Sequence, residues 1–88
     1  MDCKLKRKDV SHIVCGVIAG REGQQVTELT CFGEDLGVDT DRQESYYASI
    51  EDQLEANSCR MKTVVADDFG AESIQSVGDM VDLVFGDL

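Results

Sequence analysis

Apolar residues recur along this chain at helical rather than strand spacing. Val10, Ile13, Val14, Val17 and Ile18 fall at i, i+3, i+4, i+7 and i+8, which is one face of an amphipathic helix. Asp9 before the run predicts its N-cap and Gly20 after it predicts its stop. Between residues 20 and 39 the period disappears and Gly20, Gly23, Gly33 and Gly37 accumulate. Val26, Leu29, Phe32 and Leu36 are nevertheless spaced as anchors that would pin a long loop to a core, and ordered loops of this length are usually functional. The period returns after Thr40-Asp41-Arg42-Gln43, which fits a capping box, with Tyr47, Ile50 and Leu54 on one face. A second helix is therefore predicted from about Asp41 to about Glu55.

Residues 56 to 66 show no clear period and read as loop, with TVV as a short extended piece. Asp67 to Gln75 can hold a short turn of helix. Ser76 with Asp79 marks another N-terminal cap, ahead of Val77, Met80, Val81, Val84 and Phe85, in a last helix weakened by Gly78. The expected fold is all-α: a single domain over residues 1–88, a small four-helix bundle of three longer helices and one short one, with a long loop between the first two. Val14, Val17, Phe32, Ile50, Leu54, Val77, Val81 and Val84 are the predicted core.

Composition agrees with that class: 42% hydrophobic, 30% charged, three Phe, two Tyr, no Trp and no Pro. Charge changes the picture more. The first eight residues carry Lys4, Lys6, Arg7 and Lys8 against Asp2, a net +3, so the remainder carries −13 within a total of −10. Residues 1–8 are expected to be a flexible basic terminus. The acidic remainder repels phosphate backbones and favours protein partners with basic patches, which argues against nucleic acid. No run approaches membrane-spanning length, and the apolar stretch 13–19 is too short and wrongly flanked for a leader. Cys3, Cys15, Cys31 and Cys59 have neither close pairing nor metal-ligand spacing, so free thiols in a reducing cytosol are expected, with one disulfide left open.

Few residues suggest chemistry. His12 is the sole histidine and has no nucleophile and acid in a recognisable pattern with it, so it is expected on an exposed helix face and catalysis by this chain alone is not expected. Asp35, Asp39, Asp41 and Glu44 suggest a set of oxygen ligands for calcium, but no register places glycine sixth and glutamate twelfth, so no metal site is expected. Thr40 is the interesting residue. A hydroxyl at a helix start lies beside unsatisfied N–H groups and the positive end of the helix dipole, where a phosphodiester can be accommodated.

The runs QQVTELTCFGEDLGVDT (24–40) and SVGDMVDLV (76–84) resemble the acyl carrier and peptidyl carrier protein family, over most of residues 9–85. In that family a long loop ends in Asp-x-Gly-x-Asp-Ser-Leu, and the serine opens helix two and carries phosphopantetheine. The corresponding run here is Asp35-Leu36-Gly37-Val38-Asp39-Thr40-Asp41. The resemblance implies an acyl-carrier type of bundle. It implies a discrete, monomeric, cytoplasmic carrier, not itself an enzyme, that tethers intermediates as thioesters in fatty acid, polyketide or nonribosomal peptide synthesis. Its cofactor would be 4'-phosphopantetheine from coenzyme A, attached at Thr40 by a phosphopantetheinyl transferase. Asp35, Leu36, Gly37, Asp39 and Asp41 would form the surrounding motif. Glu44, Glu51, Asp52 and Glu55 would dock synthase or synthetase enzymes through their basic patches.

Two residues depart from the family pattern: Thr40 stands for the serine and Asp41 for the apolar residue after it. Threonine keeps the hydroxyl, but its methyl stiffens χ1 and crowds the line of attack. A second stretch, DDFGAESIQSV (67–77), also resembles the attachment motif, which makes Ser73 an alternative site, as is Ser45. Two other functions stay open: a carrier-like interaction module that has lost its prosthetic group, and an acidic helical domain that binds a basic protein.

Overall fold

A computed structural model describes residues 3–88. It contains α1 (Arg7–Glu22), α2 (Thr40–Ala56), the short α3 (Ala66–Phe69) and α4 (Val77–Gly86). No strand forms among the described residues, only an isolated bridge between Cys31 and Ser76. The architecture is the expected small all-α bundle. Helix α1 packs against both α4 and α2, and α3 packs on α2. No helix among the described residues is long and apolar enough to cross a membrane.

Helix α1 buries Val10, Val14 and Ile18, while Ile13 and Val17 flank the core half-buried. Val17 therefore borders the core instead of building it. The helix is longer than its apolar stripe at both ends. Lys6, not Asp9, is the N-cap; Asp9 is N3, and its carboxylate accepts the Lys6 amide at 2.9 Å. The helix also runs through Gly20 and stops at Gly23, whose φ of 70° is the left-handed conformation that suits glycine. Gly20 lacks a terminating role because the Arg21 and Glu22 side chains beyond it are both engaged with α2.

The basic terminus is partly engaged with the bundle. Arg7 and Lys8 are helical, and Cys3 and Leu5 pack against the core; Met1 and Asp2 lie outside the described residues. Cys3 is bonded to Cys59, so the free-thiol expectation holds only for Cys15 and Cys31. Cysteine usage consequently loses its force as an argument for a reducing compartment. Spacing could not show this pair, because it closes a separation of 56 residues that only the fold brings together.

In α2 the buried face is Gln43, Tyr46, Ile50 and Leu54. The expected Tyr47 is half-buried, its ring edge-on to Phe69 with centroids 5.5 Å apart and its hydroxyl donating to the Val64 carbonyl. Tyr46 is fully buried instead; its hydroxyl donates to Glu22 at 2.7 Å and Arg21 lies over its ring. Adjacent tyrosines left the phase of this helix ambiguous in sequence; in the observed rotation Arg42 also pairs with Glu22 at 2.9 Å.

Among the loop anchors Phe32 is 1% exposed, and Val26 and Leu36 pack half-buried on the core. Leu29 is not an anchor. It is 88% exposed at the tip of a turn in which Thr27 hydroxyl oxygen accepts the Leu29 amide and Thr30 hydroxyl oxygen accepts that of Thr27. These polar bonds set the turn's direction without regard to leucine.

Helix α4 buries Val77, Met80, Val81 and Val84, with Ser76 and Asp79 forming the expected capping box. Past its end, the Asp87 carboxylate accepts the amides of Thr63 and Val64 and the Thr63 hydroxyl. Burial alone would raise the pKa of this acid, but the hydrogen bonds from Thr63, Val64 and Lys62 outweigh it and hold it at about 2. Its folded-state pKa is depressed, so its contribution is full above the ordinary carboxylate range and is lost as pH falls from about 4 towards about 2. Asp87→Asn should cost about 1–2 kcal/mol at neutral pH. In urea titrations at a series of pH values, the gap between variant and native protein should close across that acidic window.

Candidate functional site

The loop that ends at Thr40 is built by its own acidic and glycine residues. The Asp35 carboxylate accepts the Cys31 amide at 2.7 Å, while the amides of Asp35 and Leu36 return to the Cys31 carbonyl. Gly37 then adopts a φ of 63°, a left-handed turn that a side chain would strain. The Val38 amide closes onto the Phe32 carbonyl at 2.8 Å and the Val38 side chain is buried. Asp35, Leu36 and Gly37 thus have structural work that accounts for their order in the chain.

Helix α2 begins one residue earlier than the capping-box reading expected. Asp39 is its N-cap, and the carboxylate accepts the Arg42 amide at 2.8 Å. Thr40 is consequently the first helical residue rather than the cap, exposed, at the positive end of a 17-residue helix. The Asp39 carboxylate outcompetes the threonine hydroxyl for the cap because an ionised acceptor makes the stronger bond. The Thr40 hydroxyl enters no hydrogen bond among the described residues, and neither do the amides of Thr40 and Asp41.

Thr40 stands on the rim of a groove of about 510 Å³. One wall is Cys31, Phe32, Glu34 and Val38; the other is the segment from Gly70 to Gln75. The second motif-like stretch, 67–77, is therefore folded against the first. Gln43, 5% exposed, ties them together: its amide nitrogen donates to the carbonyls of Phe69 at 2.8 Å and Ile74 at 3.2 Å. Gly70 permits the approach, since a Cβ there would stand 3.1 Å from the Thr40 carbonyl oxygen and 3.2 Å from Thr40 Cβ.

The other candidate hydroxyls are placed differently. Ser73 is exposed in the turn between α3 and α4, opens no helix, and is separated from the start of α4 by Ile74, Gln75 and Ser76. Ser45 lies within α2 and its hydroxyl is spent on the Arg42 carbonyl. Of the three, Thr40 alone combines exposure with a helix start.

Acids dominate the surroundings. Asp41, Asp52 and Glu55 are exposed on α2, and Glu44 and Glu51 are half-buried. Glu44 is held above its ordinary pKa by the neighbouring Asp67 carboxylate, by desolvation, and by the charge of Asp41. Among the described residues no group of three or more His, Cys, Asp or Glu side chains is arranged to hold a metal. His12 is exposed on α1, away from the groove lining.

Sequence reasoning missed Gln43 and Gly70. The signal for Gln43 was present, because it lies seven residues before Ile50 and so shares the buried face. Gly70 carried no comparable signal, since its close approach is across space. Compared with known proteins, the chain matches no family model, no curated protein and no solved structure.

Removing the Gln43 amide would leave the Phe69 and Ile74 carbonyls without this donor. Gln43→Ala should destabilise the protein by roughly 1–3 kcal/mol, measured by urea unfolding. Amide exchange should rise first in residues 70–75, since that segment loses its tie to α2.

Proposed function

We propose that the protein is a discrete carrier that holds acyl or peptidyl intermediates on 4'-phosphopantetheine attached at Thr40. The observation that carries this reading is the placement of Thr40: an exposed, unengaged hydroxyl on the first turn of a long acidic helix, delivered there by an ordered loop. The free amides of Thr40 and Asp41 offer donors to a phosphodiester oxygen, and the helix dipole favours the negative charge. Against this, Asp39, Glu34 and Glu72 line the groove and Asp41 sits in the first turn of α2, so the negative charge of a phosphodiester would be opposed there. The bound group would supply a thiol for thioester chemistry at the end of a flexible arm. The chain's own residues would present the hydroxyl, hold α2 rigid through Gln43, and display acids to partners.

Transfer of the group from coenzyme A is an in-line displacement at phosphorus, for which positioning and charge stabilisation come from the partner transferase. The exposed acids Asp41, Asp52 and Glu55, with Glu44 and Glu51 beside them, suit a basic docking patch on that transferase and on acyl-transferring synthases or synthetases. We place this carrier in the cytoplasm, as a monomer.

A second reading is favoured by one specific feature. Threonine adds a methyl at the attack line, and Gly70 lies so close on one side that a Cβ there would stand 3.2 Å from Thr40 Cβ. In this reading the module keeps its docking surface and carries no prosthetic group.

Intact mass measurement after incubation with coenzyme A and a broad-specificity phosphopantetheinyl transferase separates the two. The carrier reading expects one adduct, mapped to Thr40, formed about 10-fold or more faster on Thr40→Ser and absent from Thr40→Ala. An adduct on Thr40→Ser but none on the native chain would establish the unmodified module. An adduct that survives in Thr40→Ala would move the site to Ser73 or Ser45, and no adduct on any form would end the carrier reading.

A further inference from the structure

The bond between Cys3 and Cys59 joins the segment before α1 to the loop that leaves α2. Cys59 is 2% exposed within the core, whereas Cys3 is half-buried and accessible from solvent. Cys3 also stands at the edge of a groove of about 660 Å³ walled by Tyr47, Met61, Val64 and Leu88.

Both parts that the bond joins are secured without it. On one side α1 starts independently: Asp9 accepts the Lys6 amide, and the Arg7 guanidinium holds Glu28 through two nitrogens and Asp82 through a third bond. On the other side the loop is fixed by the Cys59 amide on the Leu54 carbonyl and by Asp87 on Thr63 and Val64. Residues 3–5, between them, make no backbone hydrogen bond among the described residues and rest on the disulfide and on Leu5 packing. Cutting the bond therefore frees a short segment and leaves the helices anchored.

We propose that residues 3–5 form a redox-operated strap, closed over the end of the bundle when Cys3 and Cys59 are joined and released when they are reduced. The thiolate of a dithiol reductant attacks the Sγ of Cys3, the accessible sulfur; the S–S bond breaks and the Cys59 sulfur leaves as thiolate and takes a proton. The second thiolate of the reductant then displaces Cys3 from the mixed disulfide, and Cys3 is protonated in turn. Two electrons and two protons reach the protein, and the reductant is left as a cyclic disulfide. Release opens the wall of the groove that Cys3 forms and uncovers the Cys59 side of the core. Disulfides of cytosolic proteins are usually transient or redox-sensing, so the strap accords with the cytoplasmic placement proposed above, although its geometry does not depend on carrier function.

Peptide mapping without reductant should recover Cys3 linked to Cys59, with Cys15 and Cys31 alkylated as free thiols. Cleavage by trypsin after Lys4 and Lys6 of the full chain, compared before and after treatment with a dithiol, should then accelerate roughly 10-fold or more, while the amides in the interiors of α1, α2 and α4 keep their protection from hydrogen exchange. Cys3→Ser, without reductant, should reproduce the reduced pattern, and carrier loading need not be tested for either result. Absence of the linked peptide overturns the proposal. So does an unchanged cleavage rate after Lys4 and Lys6 on reduction, and so does loss of amide protection throughout the helices, which would make the bond a staple of the whole fold.

Discussion

The long loop between α1 and α2 crosses the N-terminus of α4, and its carbonyls take the helix's first free amides. Val77 donates to Thr30 and Gly78 to Glu28, both at 2.9 Å, while the Phe32 amide returns to the Gln75 carbonyl at 3.0 Å. A helix start that would otherwise need water or a cap is satisfied by loop backbone, and loop backbone that would otherwise need water is satisfied by a helix. Gly78 makes the crossing feasible, because a Cβ there would stand 3.0 Å from the Glu28 carbonyl oxygen. The Glu28 side chain, gripped by Arg7 and Ser11, ties the same crossing to α1. Three parts of the chain are thereby fixed by one short stretch of backbone.

Everything at the candidate site is downstream of that crossing. With Phe32 buried and Cys31 bridged to Ser76, the turn from Cys31 to Val38 has a fixed origin, and Asp35 and Gly37 aim it at the start of α2. Gln43 and Gly70 bring the α3–α4 connection against the other side of that helix start. Thr40 is held between two ordered walls although it is itself exposed. Such a place is rigid in its backbone and open in its chemistry, which is what a modified hydroxyl or a docking point requires.

Charge follows the same division. Arg7 and Arg42 are committed to ion pairs between elements, and Arg21 lies over the Tyr46 ring and on the Ser45 carbonyl. Cations that could have neutralised the α2 acids are thus spent on holding α1 in place. The repulsion between Glu44 and Asp67 that remains is a cost of packing α3 beside α2, and it leaves an acidic face that a basic partner would relieve.

The local elements were legible in the sequence because their signals are local. The 3.6-residue stripe of α1, the Ser76–Asp79 capping box, the glycine and acid punctuation of the loop, and the four-helix class all rest on neighbours within one or two turns. Thr40 could be singled out for the same reason: a hydroxyl next to a helix start is a matter of a few residues. What tertiary structure alone decided depends on pairs far apart in the chain. It chose Tyr46 over Tyr47 through the α1 contacts with Glu22, and it joined Cys3 to Cys59. It also set Gly70 against Thr40. Periodicity fixes which face of a segment is apolar, but the rotation of that segment, and the neighbour that each side chain meets, are set only when the other helices compete for the same core.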